Sequence, residues 1–191
     1  MGNHFFAYIS RMRNIKRWAL MRNTEEENIQ EHSHMVAVLA HALAVIRNRV
    51  YGGRVDANLI SVVALYHDAS EILTGDMPTP IKYYNPGIKE AYRKVERMAE
   101  EKLLSMLPEV LRADYEPLLQ NSDGTVCAIV KAADKLSAYI KCVEELKAGN
   151  LEFKKAAEQT RAALEAMKLP ELDYFLANCM DSFARTLDEL D

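Results

Sequence analysis

The sequence predicts a single-domain, all-α helical bundle, and three observations lead to that prediction. Almost every apolar stripe repeats at spacings of three and four residues, and the short alternating runs typical of strands are absent. Of the 191 residues, 49% are hydrophobic and 27% are charged, which is enough for one domain with a full-sized core. Seven Gly and six Pro are too few for long coil. We expect one domain over residues 1–191, with a core from about residue 3 to 150 and packing helices from about 151 to 190.

The composition also excludes some classes of function. The formal net charge of −4, without a basic block, argues against binding to long DNA or RNA, which needs a basic face. The three cysteines are far apart and form no CxxC pair, so we expect reduced thiols in a cytoplasmic protein. No apolar run approaches the roughly 18 residues that a membrane span needs, and the start lacks the order of a secretion signal.

The first helix is predicted over Asn3 to Arg13, and an irregular link from Asn14 to Trp18 follows it. The link contains the only tryptophan of the chain, and Arg17 precedes it directly. An arginine beside a tryptophan can bind a phosphate and pack against a ring or a sugar. The alternative is a Trp18 side chain packed on the core with a solvated Arg17.

The second helix is predicted from about Gln30 to Arg49. Its apolar stripe consists of Val36, Leu39, Leu43, Ile46 and Val50. His32 lies four residues before the start of that stripe and should therefore face inward. His34 and His41 lie about 200° and 180° around the helix from His32 and should face water. An inward histidine is either a metal ligand or a hydrogen-bonded core residue, and His32 alone does not decide between them.

The third helix is predicted over Asn58 to Tyr66, with Asp56 as its N-cap. It is apolar on almost every side, which indicates a central, buried helix. His67 and Asp68 follow, and adjacent residues on a continuing helix point about 100° apart. Both can serve one centre only if the chain bends there or if both reach forward from the helix end. Glu71, four residues beyond His67, shares its face if a helical turn persists.

A loop rich in proline comes next, from Gly75 to Gly87, and it contains three of the six prolines. Proline blocks helix formation, so the loop should be stiff. It follows the candidate metal residues directly and carries Asp76, Thr79 and Lys82. Such loops are frequent places for substrate contacts. The alternative is a plain connector.

The remaining chain is predicted to form further helices. One amphipathic helix runs from Ile88 to Leu107, and a shorter one covers 111–119. The inward residues of the longer helix, Ile88 to Leu107, are expected to be Ala91, Val95, Met98, Leu103 and Met106. An alanine-rich helix covers 151–168, and Pro170 begins a last helix that ends with Leu187 and Leu190 on its apolar stripe. This last third shows no chemistry and is read as packing.

A long helix from Gly124 carries Asp134 at the edge of its buried face. A carboxylate there is costly unless it is paired or bound to a metal. The possible pairing partners on the same helix are Lys131, Lys135 and Lys141.

Four inward or strained polar residues therefore come from three separate helices. They are His32, His67, Asp68 and Asp134. Two imidazoles and two carboxylates suit a divalent cation that keeps open positions for water and substrate. The chain has no histidine after His67, which favours one metal ion over two. The ligand set does not choose among Mn, Co, Zn, Mg and Fe.

This pattern resembles that of the HD-domain metal-dependent phosphohydrolases, in particular the bacterial 5′-deoxynucleotidases of the YfbR type. The similarity extends from the N-terminus to about Asn150 and continues more loosely to the end. The stretches that carry it are Phe5-Phe6-Ala7, Arg17-Trp18, Met21-Arg22-Asn23, Glu31-His32-Ser33, Tyr66-His67-Asp68-Ala69-Ser70-Glu71, the 75–82 segment and Lys131-Ala132-Ala133-Asp134.

The resemblance implies hydrolysis of 2′-deoxyribonucleoside 5′-monophosphates to deoxynucleoside and phosphate, with little preference for the base. It implies one divalent metal ion held by the four residues named above, with Co or Mn favoured and Zn, Mg, Fe and Cu left open. It also implies a homodimer. Metal-activated water would attack the phosphorus.

Individual roles follow from the same resemblance. Arg17 would orient the phosphate, and Trp18 would lie against the sugar where a 2′-hydroxyl would clash. Asp76 and the segment Thr79-Pro80-Ile81-Lys82 would contact the substrate, together with His32 and Asp134. Glu71 would serve the attacking water or the proton transfers. Whether Glu71 or Asp76 protonates the leaving oxygen stays open.

Two other functions compete with this one. Another HD hydrolase could act on deoxynucleoside triphosphates or cyclic nucleotides, although the chain has no additional basic segment for a triphosphate. A non-catalytic helical protein could bind a nucleotide, but it would not need all four ligand positions filled.

Overall fold

The computed structural model describes residues 2–78, 81 and 85–190. Its α-helices are α1 Phe5–Ile9, α2 Ile29–Val50, α3 Ala57–Tyr66, α4 Glu71–Thr74, α5 Pro86–Leu104, α6 Glu109–Leu119, α7 Gly124–Lys147, α8 Lys154–Ala166 and α9 Pro170–Asn178. Shorter 3-10 turns cover Ser10–Asn14, Leu151–Phe153, Met180–Ala184 and Leu187–Glu189. In the described ranges, β-type pairing is limited to one isolated bridge between Lys16 and Asn28. The prediction of an all-α bundle is confirmed.

The main core lies where α2 packs against α3 on one side and α7 on the other, with α9 closing one end. Its fully buried side chains include Leu43, Ile60, Ile129, Leu136 and Leu172. Within the described ranges, every helix is too short or too polar to span a lipid bilayer.

Side-chain caps fix where the three central helices begin. Asn28 accepts hydrogen bonds from the backbone of Gln30 and Glu31, and Glu31 completes a capping box at the start of α2. Asp56 caps α3 as predicted, and Asp123 caps α7. These caps set the register of the helices, and the register decides which polar residues face inward.

Helix α3 is not buried on all sides, so that prediction is wrong. Leu59, Val62 and Leu65 are 39%, 37% and 40% exposed. They lie three residues apart and form one exposed apolar stripe on α3. Val50 at the end of α2 is also exposed. The apolar residues on all sides of α3 therefore reflect one buried face and one exposed apolar face, and not complete burial of the helix.

The inward face of α5 was predicted only in part: Leu103, and Met106 just after the helix, are buried as expected, whereas Ala91 is exposed. Val95 and Met98 are exposed, and the buried side chains are Tyr92, Ala99 and Leu103. The Tyr92 hydroxyl lies 3.3 Å from Thr74 Oγ1, which ties α5 to α4. Apolar periodicity alone does not reveal a buried tyrosine whose hydroxyl contacts a neighbouring helix.

The predicted last helix ends early, at Asn178, and 3-10 turns follow it. The Phe183 ring packs 6.5 Å from the Phe175 ring. A continuous helix would separate two residues eight apart by about 12 Å along its axis. The break near Cys179 thus returns Phe183 to the core, while Leu187 and Leu190 are left exposed.

Candidate metal centre and substrate site

Three of the predicted ligands meet in the structure. His32 comes from the first turns of α2, and His67 and Asp68 follow the end of α3. One candidate ligand atom from each lies within 4.8 Å of the others. The two imidazole rings are 5.3 Å apart, and His32 is fully buried. The inward placement of His32 is confirmed, and His34 and His41 are exposed as predicted.

A tightening of the chain after α3 brings His67 and Asp68 together. The backbone N–H groups of His67 and Ala69 donate to carbonyls three residues back, those of Ala64 and Tyr66. Such bonds wind the chain more tightly than an α-helix. As a result His67 Nε2 lies 3.1 Å from Asp68 Oδ2. The bend that the sequence required for a shared centre is present.

Asp134 reaches the site through His32. Its Oδ1 lies 3.1 Å from His32 Nε2, and Asp68 Oδ2 lies 3.6 Å from the same nitrogen. Asp134 is not within the three-residue cluster itself. Its partner is therefore His32 and none of the lysines considered above; Lys141 pairs with Glu145 instead.

The orientation of His67 suits a metal ligand. Its Nδ1 lies 2.7 Å from the Ala64 carbonyl, which can only accept, so Nδ1 carries the proton. In the neutral ring Nε2 then bears a lone pair. This nitrogen is buried, and the polar atom beside it is Asp68 Oδ2 at 3.1 Å. The His32 ring is held by Ser137, whose Oγ lies 3.1 Å from Nδ1.

The electrostatics of the site also favour a cation. Burial would raise the pKa of Asp68, but His67, His32 and Arg17 outweigh it and hold that pKa well below its usual range. For Asp134, His32 overcomes the effect of burial and lowers the pKa to about 2. Burial would lower the pKa of His67, yet Asp68 raises it. Both carboxylates therefore stay ionised, and their negative charge favours a bound cation.

Arg17 and Trp18 border this cluster. Arg17 Nη1 lies 3.3 Å from Asp68 Oδ2, and the guanidinium is only 12% exposed. The Trp18 ring packs 5.3 Å from the Phe153 ring, with its backbone in the left-handed region at φ +57°. That region is uncommon for a residue other than glycine and requires support from neighbouring contacts.

The other predicted site residues lie after the cluster. Glu71 is buried at the start of α4, and its backbone N–H donates to the Asp68 carbonyl at 3.0 Å. The charge of Asp76 acts on Arg17, whose pKa is raised because Asp68, Asp134, Glu27 and Asp76 together outweigh burial. Ile81 is 49% exposed. Thr79, Pro80 and Lys82 lie outside the described residues, so their predicted contacts stay predictions.

Comparison with known proteins identifies the family. The family model of the YfbR-like 5′-deoxynucleotidases matches residues 4–183. The chain belongs to this family. It is 53% identical over 192 residues to a 5′-deoxynucleotidase of Photobacterium profundum, and 50% identical over 190 residues to one of Vibrio vulnificus. Each match covers 98% of both chains.

Solved structures share the fold. An HD-domain phosphohydrolase of Listeria innocua is 25% identical and superposes with a TM-score of 0.83, over 96% of this chain and 90% of the other. The HD phosphohydrolase of cyanophage S-2L, whose structure contains dA and one catalytic Zn²⁺, is 21% identical with a TM-score of 0.61. That match covers 92% of this chain and 96% of the other.

Sequence reasoning missed the polar residues that support the site of this YfbR-like protein. Ser137, Lys141 and Glu145 follow Ala133 on α7 at spacings of four, so they share one inward row. Glu145 is 1% exposed and accepts hydrogen bonds from the Thr24 hydroxyl and from Asn150 Nδ2. Polar residues on an inward row were the available signal for these contacts.

Proposed function

We propose that this chain is a metal-dependent 5′-deoxynucleotidase that hydrolyses 2′-deoxyribonucleoside 5′-monophosphates to deoxynucleoside and phosphate. One observation carries the proposal: the buried Nε2 of His67 and the Arg17 guanidinium both border the same Asp68 carboxylate. A cation site and an anion-binding side chain therefore meet at one point. Phosphomonoester hydrolysis needs that combination, because negative charge must be neutralised while water is activated.

His32, His67, Asp68 and Asp134 would hold the metal ion. Their nitrogen and oxygen atoms suit Mn, Co, Zn or Fe, and the resemblance favours Co or Mn. A bound divalent ion lowers the pKa of a coordinated water and so supplies hydroxide near neutral pH. The protein contributes the orientation: Ala64 fixes the His67 tautomer and Ser137 fixes the His32 ring.

Arg17 would hold the phosphate through the charge of its partly buried guanidinium. The Trp18 ring, fixed against Phe153, would leave no room for a 2′-hydroxyl beside the sugar. Apolar walls reject an added hydroxyl only moderately, so the expected preference for deoxyribose is about 100-fold.

Two carboxylates, Glu71 and Asp76, would move protons. Glu71 is buried directly after the metal residues, and Asp76 lies near enough to Arg17 to affect its pKa. One of them would position the attacking water and one would protonate the leaving 5′-oxygen, a contribution of about 100- to 10,000-fold for a well-placed acid or base. Contacts of the phosphate or sugar with Thr79, Pro80, Ile81 and Lys82 complete the proposed site.

We also propose a homodimer in the cytoplasm. Leu59, Val62 and Leu65 form an exposed apolar stripe on α3, and Leu65 lines a groove of about 330 Å³ together with the exposed Val38 of α2. Contiguous apolar surface of this kind often marks a subunit contact.

The proposed cytoplasmic location rests on the cysteines. The three cysteines are free thiols, which is typical of proteins in a reducing compartment.

The substrate class can be tested with a panel of nucleotides. With Mn²⁺ or Co²⁺ present, the protein is expected to release phosphate from dAMP, dGMP and dTMP about 100-fold faster than from AMP, measured as kcat/KM. Equal rates on ribonucleotides would contradict the role of Trp18. Release of pyrophosphate or triphosphate from dATP would favour the alternative of a triphosphate hydrolase.

The metal site can be tested without measuring activity. Replacement of Asp134 by alanine is expected to weaken metal binding by at least about 10-fold, because it removes a carboxylate that would hold the ion and that also contacts His32. Metal content after dialysis, measured by mass spectrometry, reports the change. The matched control is Asp114→Ala, an exposed carboxylate on α6, which should leave the metal content unchanged. If wild type and Asp134→Ala both retain no metal, the proposed function fails.

A further inference from the structure

Glu27 joins the two side chains that the proposed function assigns to the phosphate and the sugar. Its Oε2 atom accepts a hydrogen bond from Arg17 Nε at 3.1 Å and another from Trp18 Nε1 at 3.0 Å. One carboxylate oxygen thus fixes two different recognition groups. The Glu27 side chain is only 16% exposed, so water competes little for these bonds.

The backbone holds Glu27 in place relative to the two residues. The Arg17 N–H donates to the Glu27 carbonyl at 2.9 Å, and the Ile29 N–H donates to the Ile15 carbonyl at 3.0 Å. These bonds form a short two-stranded clamp across the loop before α2. The backbone of Glu27 is therefore fixed, and the length of its side chain determines where the Arg17 and Trp18 side chains lie.

Arg17 is held at both ends of its guanidinium. Nε lies against Glu27, while Nη1 lies 3.3 Å from Asp68 Oδ2 beside the candidate metal ligands. A planar guanidinium fixed at two nitrogens has one orientation. Its remaining N–H groups then face a constant direction, as a phosphate-orienting residue requires.

Trp18 needs an external support. Its left-handed backbone is held by the Met21 N–H, which donates to the Trp18 carbonyl at 2.8 Å. The indole ring has Phe153 on one side and the Glu27 carboxylate at its N–H. The two rings are tilted by 57°, and the bond to Glu27 adds a directional contact that limits rotation of the indole about its side-chain bonds.

We infer that Glu27 is a positioning residue that couples phosphate orientation to the choice of sugar in the deoxynucleotide site. It touches neither the substrate nor the metal. Loss of its reach is expected to free Arg17 and Trp18 together, so the KM for dAMP rises and the preference for deoxyribose falls. This inference rests on the proposed function, because that function supplies the roles of Arg17 and Trp18.

Three substitutions of Glu27 distinguish the effect of its side-chain length from the effect of its charge. Glu27→Ala removes the acceptor, Glu27→Asp keeps the charge but shortens the reach, and Glu27→Gln keeps the reach and a carbonyl acceptor. We expect the ratio of kcat/KM for dAMP over AMP to fall at least about 10-fold in Glu27→Ala and Glu27→Asp, the effect typical of a supporting residue. Glu27→Gln should stay within about threefold of wild type, since its amide oxygen can accept both bonds.

Glu26→Ala is the matched control. Glu26 is the adjacent carboxylate, and it pairs with Lys16 at 2.7 Å in an exposed position, with the two side chains 73% and 63% exposed. Surface pairs of this kind contribute little to structure or stability. Its substitution should leave both the sugar preference and the KM unchanged.

The single tryptophan provides a second readout that does not depend on activity. Fluorescence anisotropy of Trp18 should fall in Glu27→Ala and Glu27→Asp, and should remain at the wild-type value in Glu27→Gln and Glu26→Ala. A folded Glu27→Asp with wild-type sugar preference and wild-type anisotropy would overturn the inference. Should Glu27→Ala not fold, Glu27→Asp and Glu27→Gln carry the test. Wild-type protein that does not hydrolyse dAMP would instead refute the proposed function, and the anisotropy would still test the contact.

Discussion

Replacing Asp68 by alanine is expected to lower kcat/KM for dAMP by at least about 1000-fold while the protein stays folded. The Asp68 carboxylate borders His67, His32 and Arg17 and is the only side chain in contact with all three among the described residues. Its loss would remove a proposed metal ligand and one anchor of Arg17 together. Lewis-acid stabilisation of several kcal/mol corresponds to a rate change of that size.

The fold should survive this substitution because Asp68 contributes little to the core. Its side chain is 17% exposed and its contacts are with functional groups. Phosphate release and circular-dichroism melting should be measured on the same preparation, with Asp114→Ala as the control. Loss of the helical signal at 25 °C would show that the His67-Asp68 pair is structural, and unchanged activity would contradict the proposed site.

Replacing Glu145 by alanine is expected to destabilise the protein by about 3–5 kcal/mol, the usual effect of removing one partner from a buried ion pair. Lys141 would remain buried without its carboxylate, and the Thr24 and Asn150 donors would lose their acceptor. Denaturant unfolding measures the change. Glu144→Ala is the matched control, because Glu144 is exposed one position earlier on α7. A loss below about 1 kcal/mol would be contrary to a buried ion pair.

The same carboxylate should make stability sensitive to acid. Burial would raise the pKa of Glu145, but hydrogen bonds from Lys141 and Thr24 outweigh burial and hold the pKa well below its usual range. The group therefore stabilises the folded state at neutral pH, and this contribution is lost as pH falls below about 4.3, the ordinary glutamate pKa. Glu145→Gln is expected to flatten the dependence of unfolding free energy on pH over that range. An unchanged slope would contradict the assignment.

The residues of the candidate metal site were predictable in part from helical spacing. His32 continues the α2 stripe, Asp134 borders the α7 stripe, and the His67-Asp68 pair closes α3. Resemblance to the YfbR-like family then added Arg17 and Trp18, for which spacing offers no information.

Contacts between loops and helices were not predictable in this way. Glu27 lies in an irregular segment, and its two bonds depend on how the clamp before α2 closes. The inward face of α5 includes Tyr92, whose hydroxyl contacts Thr74 on α4. After the break at the end of α9, the Phe183 ring packs against the Phe175 ring. Each is decided by tertiary packing, which local periodicity does not contain.

The tight winding after α3 has a consequence for how this protein tolerates change in chain length. Because the backbone bonds at His67 and Ala69 fix both side-chain directions, adding or removing a single residue between Leu65 and Glu71 would rotate the imidazole or the carboxylate away from His32. The buried start of α4 leaves no room to absorb the shift. The length of this stretch is therefore fixed. Variants with an insertion between Leu65 and Glu71 are expected to lose activity, whereas insertions elsewhere in surface loops can leave activity intact.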